Sequence, residues 1–325
     1  MVSRDTLTCM WEPAAIDGIW LRPTSGTGPR EPRWGHPDGI QIGLQPLPGP
    51  RGLIRVFTPY LDHPADRLLN FVAVEPIPLG ASDRGFSELE PSRIDPGESG
   101  LRFWSIDNPS DAQPQPSQQP SRGLVDDDAE TLTIHILAER FANGAHVWVT
   151  AEFRADSPHE VTFSTHAHAD SVELESCVLT ATMGNWARLR VLNLSRGTVT
   201  SAKLWPEYRD IHFADHASFG LDELVNDDGT VVFSAIPDEE SPQTATYASD
   251  TAAHWHYQGD RATQGWRIAD PHPAIRGQVN GRYTYWMSQA PIPGGVSFEN
   301  LEIVEPFRDG ARFTFFAEPL DTTTE

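Results

Sequence analysis

The chain has 325 residues and a formal charge of −22, and Lys203 is the one lysine among its 24 basic residues. Such an acidic surface repels nucleic-acid phosphates and anionic lipid, so no nucleic acid and no membrane is an expected partner. Ten Trp and fifteen Phe exclude disorder over most of the chain, and the acid excess with almost no lysine fits a salt-rich, halophilic cytosol as well as it fits an Arg-biased genome.

The opening MVSRDTLTCMWEPAAIDGIW lacks a basic segment followed by an apolar one. No stretch nears the roughly 18 consecutive apolar residues of a membrane span, so a cytoplasmic protein is expected. Cys9 and Cys177 have neither disulfide-framework nor metal-type spacing and read as ordinary thiols. From there the chain repeats one pattern, short alternating or β-branched runs bounded by Gly, Pro, Asp or Asn, which predicts strands. They fall at residues 52–58, 69–75, 131–138, 145–153, 160–168, 172–179, 186–192, 197–204, 230–236, 282–288, 296–304 and 311–317. No run keeps a helical period, and 28 prolines argue against long helices, because each removes a backbone donor and crowds the preceding turn. The expected fold is all-β, a large antiparallel β-sandwich with few short helices. Residues 107–123, DNPSDAQPQPSQQPSRG, cannot bury apolar surface and are expected to form a mobile loop or insertion within a single domain over 1–325.

Several constellations mix aromatic and polar groups as sugar sites do. Near the start are Trp34, His36 and Asp38 in RWGHPDG, and Arg84, Glu88 and Glu90 in RGFSELE. In STHAHAD, His166 and His168 lie two apart on a strand and share a face with Thr162 and Ser164. Two imidazoles on one face suit proton transfer, and with Glu173 they also suit a metal ion, the competing reading. In MGNWARLR, Asn185 accompanies Arg188 and Arg190, whose guanidinium groups need counter-charges: this protein's own carboxylates or a bound uronate. Lys203 follows, with Trp205, Glu207 and Tyr208; then His254, His256 and Tyr257 in AHWHYQG, and Tyr285 and Trp286 in GRYTYWMS. In SFENLEIV, alternation places Glu299 on the face of Leu301 and Ile303, where lost solvation would raise its pKa, and places Glu302 on the opposite face, where its replacement should be nearly silent. There is no phosphate-binding loop, dinucleotide fingerprint, nucleophile elbow or zinc-protease helix, and no cofactor is expected.

The close of the chain, a strand carrying Glu299, a short Pro-Phe loop, then Asp-Gly and the aromatic-alternating strand of Gly310, Ala311, Arg312 and Phe313, resembles the aldose 1-epimerase (galactose mutarotase) family. The resemblance implies a mutarotase-like supersandwich, Glu299 as base, and His166 or His168 as the acid on the ring oxygen. A small sugar or oligosaccharide would be the partner, with Glu299 in a concave pocket near one of the histidine pairs. On the same fold, β-elimination of a uronate by a lyase, glycoside hydrolysis by paired carboxylates, and non-catalytic carbohydrate binding are the alternatives.

Overall fold

The computed structural model describes residues 14–23, 32–44, 51–62, 68–109, 120–182, 187–239, 242, 245–253, 256–286 and 288–320. Most of the segment expected to be mobile, and Cys9, Asn185 and His254, lie outside the described residues. In chain order the strands are β1 (Ala15–Asp17), β2 (Trp20–Arg22), β3 (Arg33–Gly35), β4 (Gln41–Leu44), β5 (Leu53–Phe57), β6 (Leu68–Pro78), β7 (Phe103–Ile106), β8 (Leu124–Asp126), β9 (Thr131–Ala138), β10 (Val147–Arg154) and β11 (Glu160–Ala167). There follow β12 (Leu174–Thr182), β13 (Leu189–Leu194), β14 (Gly197–Thr200), the short helix α1 (Ser201–Leu204), β15 (Ala217–Gly220), β16 (Val225–Asp227), β17 (Thr230–Pro237), β18 (Ala262–Ile268), β19 (Arg276–Arg282), β20 (Ser297–Val304) and β21 (Ala311–Pro319).

These strands form two antiparallel sheets packed as a sandwich. The first runs β1-β2-β3-β4-β5-β6-β12-β20-β19-β15, and the second β14-β13-β17-β18-β21-β11-β10-β9-β7, with β16 beside β17 and β8 beside β9. Strands from both sides of residues 107–123 pair in each sheet, β6 with β12 and β7 with β9.

The core follows from the period-two alternation of side chains. In β10, Val147, Val149, Ala151 and Phe153 enter it while Trp148, Thr150 and Glu152 face outward. Trp266 packs edge-on against Phe163 and Phe315 and donates its indole N–H across to the first sheet, to the Leu301 carbonyl at 2.9 Å. The buried Asn70 donates its amide N–H to Gln264 Oε1 between the sheets at 3.2 Å, which partly offsets the loss of solvation of the two amides.

Two expected strands are corrected, and one further strand is added. The expected strand over 282–288 does not form among its described residues: β19 ends at Arg282 and the chain turns away over 283–286. Its sequence RGQVNGR hid β19, because Gly is depleted in strands, yet a Cβ on Gly277 would meet the Phe233 ring at 2.8 Å, so close packing against the second sheet demands the glycine. Residues 197–204 split into β14 and α1, whose N-cap Thr200 accepts from the Lys203 N–H.

The long loop after β6 is tied down by Glu139, a buried carboxylate just past β9. It accepts from the Ser92 hydroxyl and from the backbone N–H groups of Arg93 (2.7 Å), Ile94 (3.1 Å) and Arg102 (2.7 Å). This loop carries Arg84.

Candidate functional site

The site is built by a one-residue irregularity between β19 and β20. Val279 pairs with Leu301 and Gly281 with Phe298, so β20 advances three residues while β19 advances two. Phe298, Leu301 and Ile303 therefore all enter the core, and Glu299 and Asn300 turn together to the outer face of the first sheet. The Asn300 N–H, displaced from the ladder, donates to the side-chain Oδ1 of Asn280 at 3.2 Å. Sequence alternation had separated Glu299 from Glu302; the bulge puts both on one face, and Glu299 does not share the face of Leu301 and Ile303.

On that outer face the pairing register aligns Gln278, Glu302, Thr180 and Ala73 across β19, β20, β12 and β6, with Glu75 one step along. Glu75 and Glu302 are only 3% and 2% exposed. Arg84 descends from its loop between them. Its Nη2 contacts the Glu75 carboxylate, reaches Glu302 Oε2 at 3.0 Å, and donates to Thr180 Oγ1 at 3.1 Å. From the far side His216, just before β15, brings Nε2 to 3.2 Å from Glu302 Oε1 and 3.3 Å from Asn280 Nδ2. Its side chain is 39% exposed, so the imidazole is the part of the cluster that reaches solvent.

The two carboxyls are driven apart electrostatically. Burial, with Glu88 and Glu302 nearby, pushes Glu75 up to about 8 against the pull of Arg84. Burial also acts to raise Glu302, but the His216 hydrogen bond and the Arg84 charge outweigh it and hold this carboxyl below the usual range. Glu88 is raised chiefly by burial. Near neutral pH one carboxyl thus keeps its proton while its neighbour across Arg84 is ionised, a division that equips one site for both proton donation and acceptance. Asn280 adds to this: with its Oδ1 committed to Asn300 N–H, its amide N–H₂ faces His216. An unprotonated Nε2 can accept from Asn280, and a protonated one can donate to Glu302.

Two residues beyond Asn280 on the same face lies Arg282, whose guanidinium sits 4.9 Å from the ring centres of both Phe213 and Trp286 and within the field of Glu299.

The other residues singled out in the sequence lie elsewhere. His166 stacks on Trp148 at 4.0 Å and His168 on His146 at 3.9 Å, on the outer face of the second sheet. Burial, then the His146 charge, holds His168 down to about 4. The core stands between these histidines and Glu299, so the structure does not bring that acid and base together. Arg188 and Arg190 are buried, with Glu239 Oε2 2.8 Å from Arg188 and Asp238 2.7 Å from Arg190, so their counter-charges are the protein's own. Tyr247 stacks on His256 at 3.9 Å, lies under Arg188, and packs with the buried Tyr285. Tyr257 is buried and donates to the Asp260 carbonyl, while Lys203 is exposed on α1. Trp34 is core, His36 packs between Trp20 and Phe153, and Asp38 is exposed.

Sequence reasoning missed Glu75, Thr180, His216 and Asn280 as a group. Glu75 alone carried a signal, a carboxylate in the otherwise apolar run FVAVEPI. Among the described residues no group of three or more His, Cys, Asp or Glu is arranged to hold a metal ion. Comparison with protein-family models, with curated proteins and with solved structures returns no match.

Proposed function

We propose that the chain is a carbohydrate-active enzyme that carries out acid/base chemistry on a sugar, of the mutarotase or epimerase kind, at the outer face of the first sheet. The observation that carries the reading is the His216–Glu302 pair, set beside a second carboxyl, Glu75, that keeps its proton near neutrality. Opening an aldose ring requires removal of the anomeric hydroxyl proton and protonation of the ring oxygen. In this reading His216, oriented by Glu302 and Asn280, accepts the hydroxyl proton. Glu75, buried beside Arg84, holds the proton of the carboxyl pair, and the protonated imidazole of His216, which reaches solvent, returns the proton to the ring oxygen. Arg84 pulls both carboxyls towards ionisation, while burial of Glu75 and the His216 hydrogen bond to Glu302 set them in opposite states. The proton-transfer role thus moves from Glu299 and the strand histidines His166 and His168 to this cluster. Glu299, facing Arg282, becomes a sugar-binding group. The resemblance of the chain's close to the aldose 1-epimerase family supports the choice of a sugar.

The lyase reading is less favoured because Arg188 and Arg190, its candidate uronate clamp, are already answered by Glu239 and Asp238. The test is exchange between anomers of a panel of neutral aldoses, followed by proton NMR. The wild-type protein is expected to accelerate exchange of at least one aldose, and Glu302→Gln to lower that rate by about 10²–10⁴-fold. Absence of acceleration, or full turnover in the Gln variant, overturns the proposal and leaves a carbohydrate-binding sandwich as the alternative.

A further inference from the structure

We infer that Asn143, a residue outside the carboxyl cluster, is the positioning residue that holds Arg84 against Glu75 and Glu302. The inference rests on the reading of that cluster as the proton-transfer site, and it adds the element that fixes its guanidinium.

Arg84 stands on a stretch that secures itself poorly. Gly80, Ala81, Ser82 and Asp83 are all exposed, and the backbone bonds of this stretch among the described residues are short local turns, from the Ala81 N–H to the Pro78 carbonyl and from the Arg84 N–H to the Ser82 carbonyl. Holding a long side chain between two buried carboxyls costs conformational entropy, which a slack backbone would add to.

Asn143 supplies the missing tie from the second sheet. It lies in the turn that joins β9 to β10, and its Nδ2 donates to the carbonyls of both Pro76, at 3.0 Å, and Asp83, at 2.9 Å. Pro76 follows Glu75 and Asp83 precedes Arg84. One amide group therefore sets the spacing between the backbone that bears the carboxyl and the backbone that bears the guanidinium. The amide is itself oriented, because its Oδ1 accepts from the Ala145 N–H at 3.1 Å and leaves Nδ2 facing the loop. The fit is close: a Cβ on Gly85 would meet Phe141 Cδ1 at 2.6 Å and Asn143 Nδ2 at 3.2 Å. Beyond Arg84 the loop has ties of its own. The Gly85 N–H donates to the Pro76 carbonyl at 2.9 Å, the Ser87 N–H to the Val74 carbonyl at 3.3 Å, and Glu139 holds residues 92–102. Loss of the Asn143 amide thus frees the chain on the N-terminal side of Arg84 and leaves the cover over Glu75 in place.

Positioning and mere stiffening have opposite consequences for the Glu75 proton. A turn that only stiffens the loop would, when loosened, admit water to Glu75 and weaken the burial that chiefly raises its pKa, so the proton would leave at lower pH. Withdrawal of Arg84 instead removes the positive charge that favours the ionised form, so the proton leaves at higher pH.

Infrared titration between about pH 4 and 10 reads this proton, with the protonated-carboxyl band of Glu75 isolated as the difference between each protein and its Glu75→Gln counterpart. Asn143→Ser keeps a side-chain oxygen for the Ala145 N–H but is too short to reach both carbonyls, and it should raise the midpoint by about one pH unit. Asn143→Ala should raise it likewise, and either variant that folds suffices. Arg140→Ala loosens the same turn from its other side, where Arg140 donates to the Gly144 and Asp170 carbonyls at 3.0 Å each, and it should not raise the midpoint. A midpoint unchanged or lowered by the Asn143 variants, or raised equally by Arg140→Ala, would overturn the inference. No sugar enters the measurement, so a raised midpoint in a chain that exchanges no anomer would leave the positioning role standing and count against the proposed chemistry alone.

Discussion

Replacing Glu75 by Gln tests the electrostatic reading of the site at its centre. Burial raises this carboxyl from 4.5 to about 8 in the folded protein. Between those values the folded state holds a proton that the unfolded chain has released, so stability is fullest below about 4.5 and falls as pH rises towards 8. At 1.36 kcal/mol per pH unit, the decline attributable to Glu75 is on the order of 2–5 kcal/mol. Gln keeps the shape and neutrality of the protonated side chain and cannot ionise. The stability of Glu75→Gln relative to wild type should therefore be close to zero at pH 5 and reach on the order of 2–5 kcal/mol in favour of Gln by pH 9. Urea denaturation followed by tryptophan fluorescence, at unit steps from pH 5 to 9, measures both proteins. Groups titrating in both cancel in the difference. A difference that stays constant across this range would refute the claim that Glu75 carries its proton near neutrality, and with it the opposite charge states assigned to the two carboxyls of the site.

Three further outcomes follow from packing and charge. Glu139→Ala strands four buried or half-buried donors of the loop that carries Arg84, and should cost on the order of 3 kcal/mol or more by denaturant melt and speed amide exchange at residues 92–102. Gly277→Ala forces a methyl against the Phe233 ring and should destabilise by about 1–3 kcal/mol, with Phe233→Leu in the same chain recovering part of the loss; an unchanged melting temperature would contradict the close approach. With a charge of −22, the melting temperature should rise between low-salt buffer and molar KCl as self-repulsion is screened, and a flat or falling curve would favour the Arg-biased genome over halophilic adaptation.

Much of the architecture is legible in the chain because strands announce themselves locally. The run VWVTAEFR buries every second residue and TLTIHILA does so up to its last three, which are all buried, and β9 and β10 form where that pattern places them. Strands whose glycines serve tertiary contacts are not legible in this way: the Gly277 of RGQVNGR is explained by the aromatic ring it must clear on the other sheet. The same limit applies to the candidate site. Glu299 and Glu302 were visible as carboxylates in one strand, but their shared face depends on an extra residue opposite Asn280, and nothing in SFENLEIV signals a bulge that only the pairing with β19 creates. His166 and His168, conspicuous as a pair, lie on the sheet opposite Glu299, because strands distant in sequence are assigned to sheets by pairing and not by local pattern.

The sequence by itself determined the class: the spacing of apolar side chains along each strand is a local property, set by residue chemistry and the two-residue period, and it yields an all-β sandwich with an acidic exterior. Tertiary structure alone decided which polar side chains meet. Glu75, Arg84, Thr180, His216, Asn280 and Glu302 come from four strands and two loops, and their juxtaposition depends on strand order and register. So do their charges, since the opposite shifts of Glu75 and Glu302 arise from burial and from neighbours that are remote along the chain.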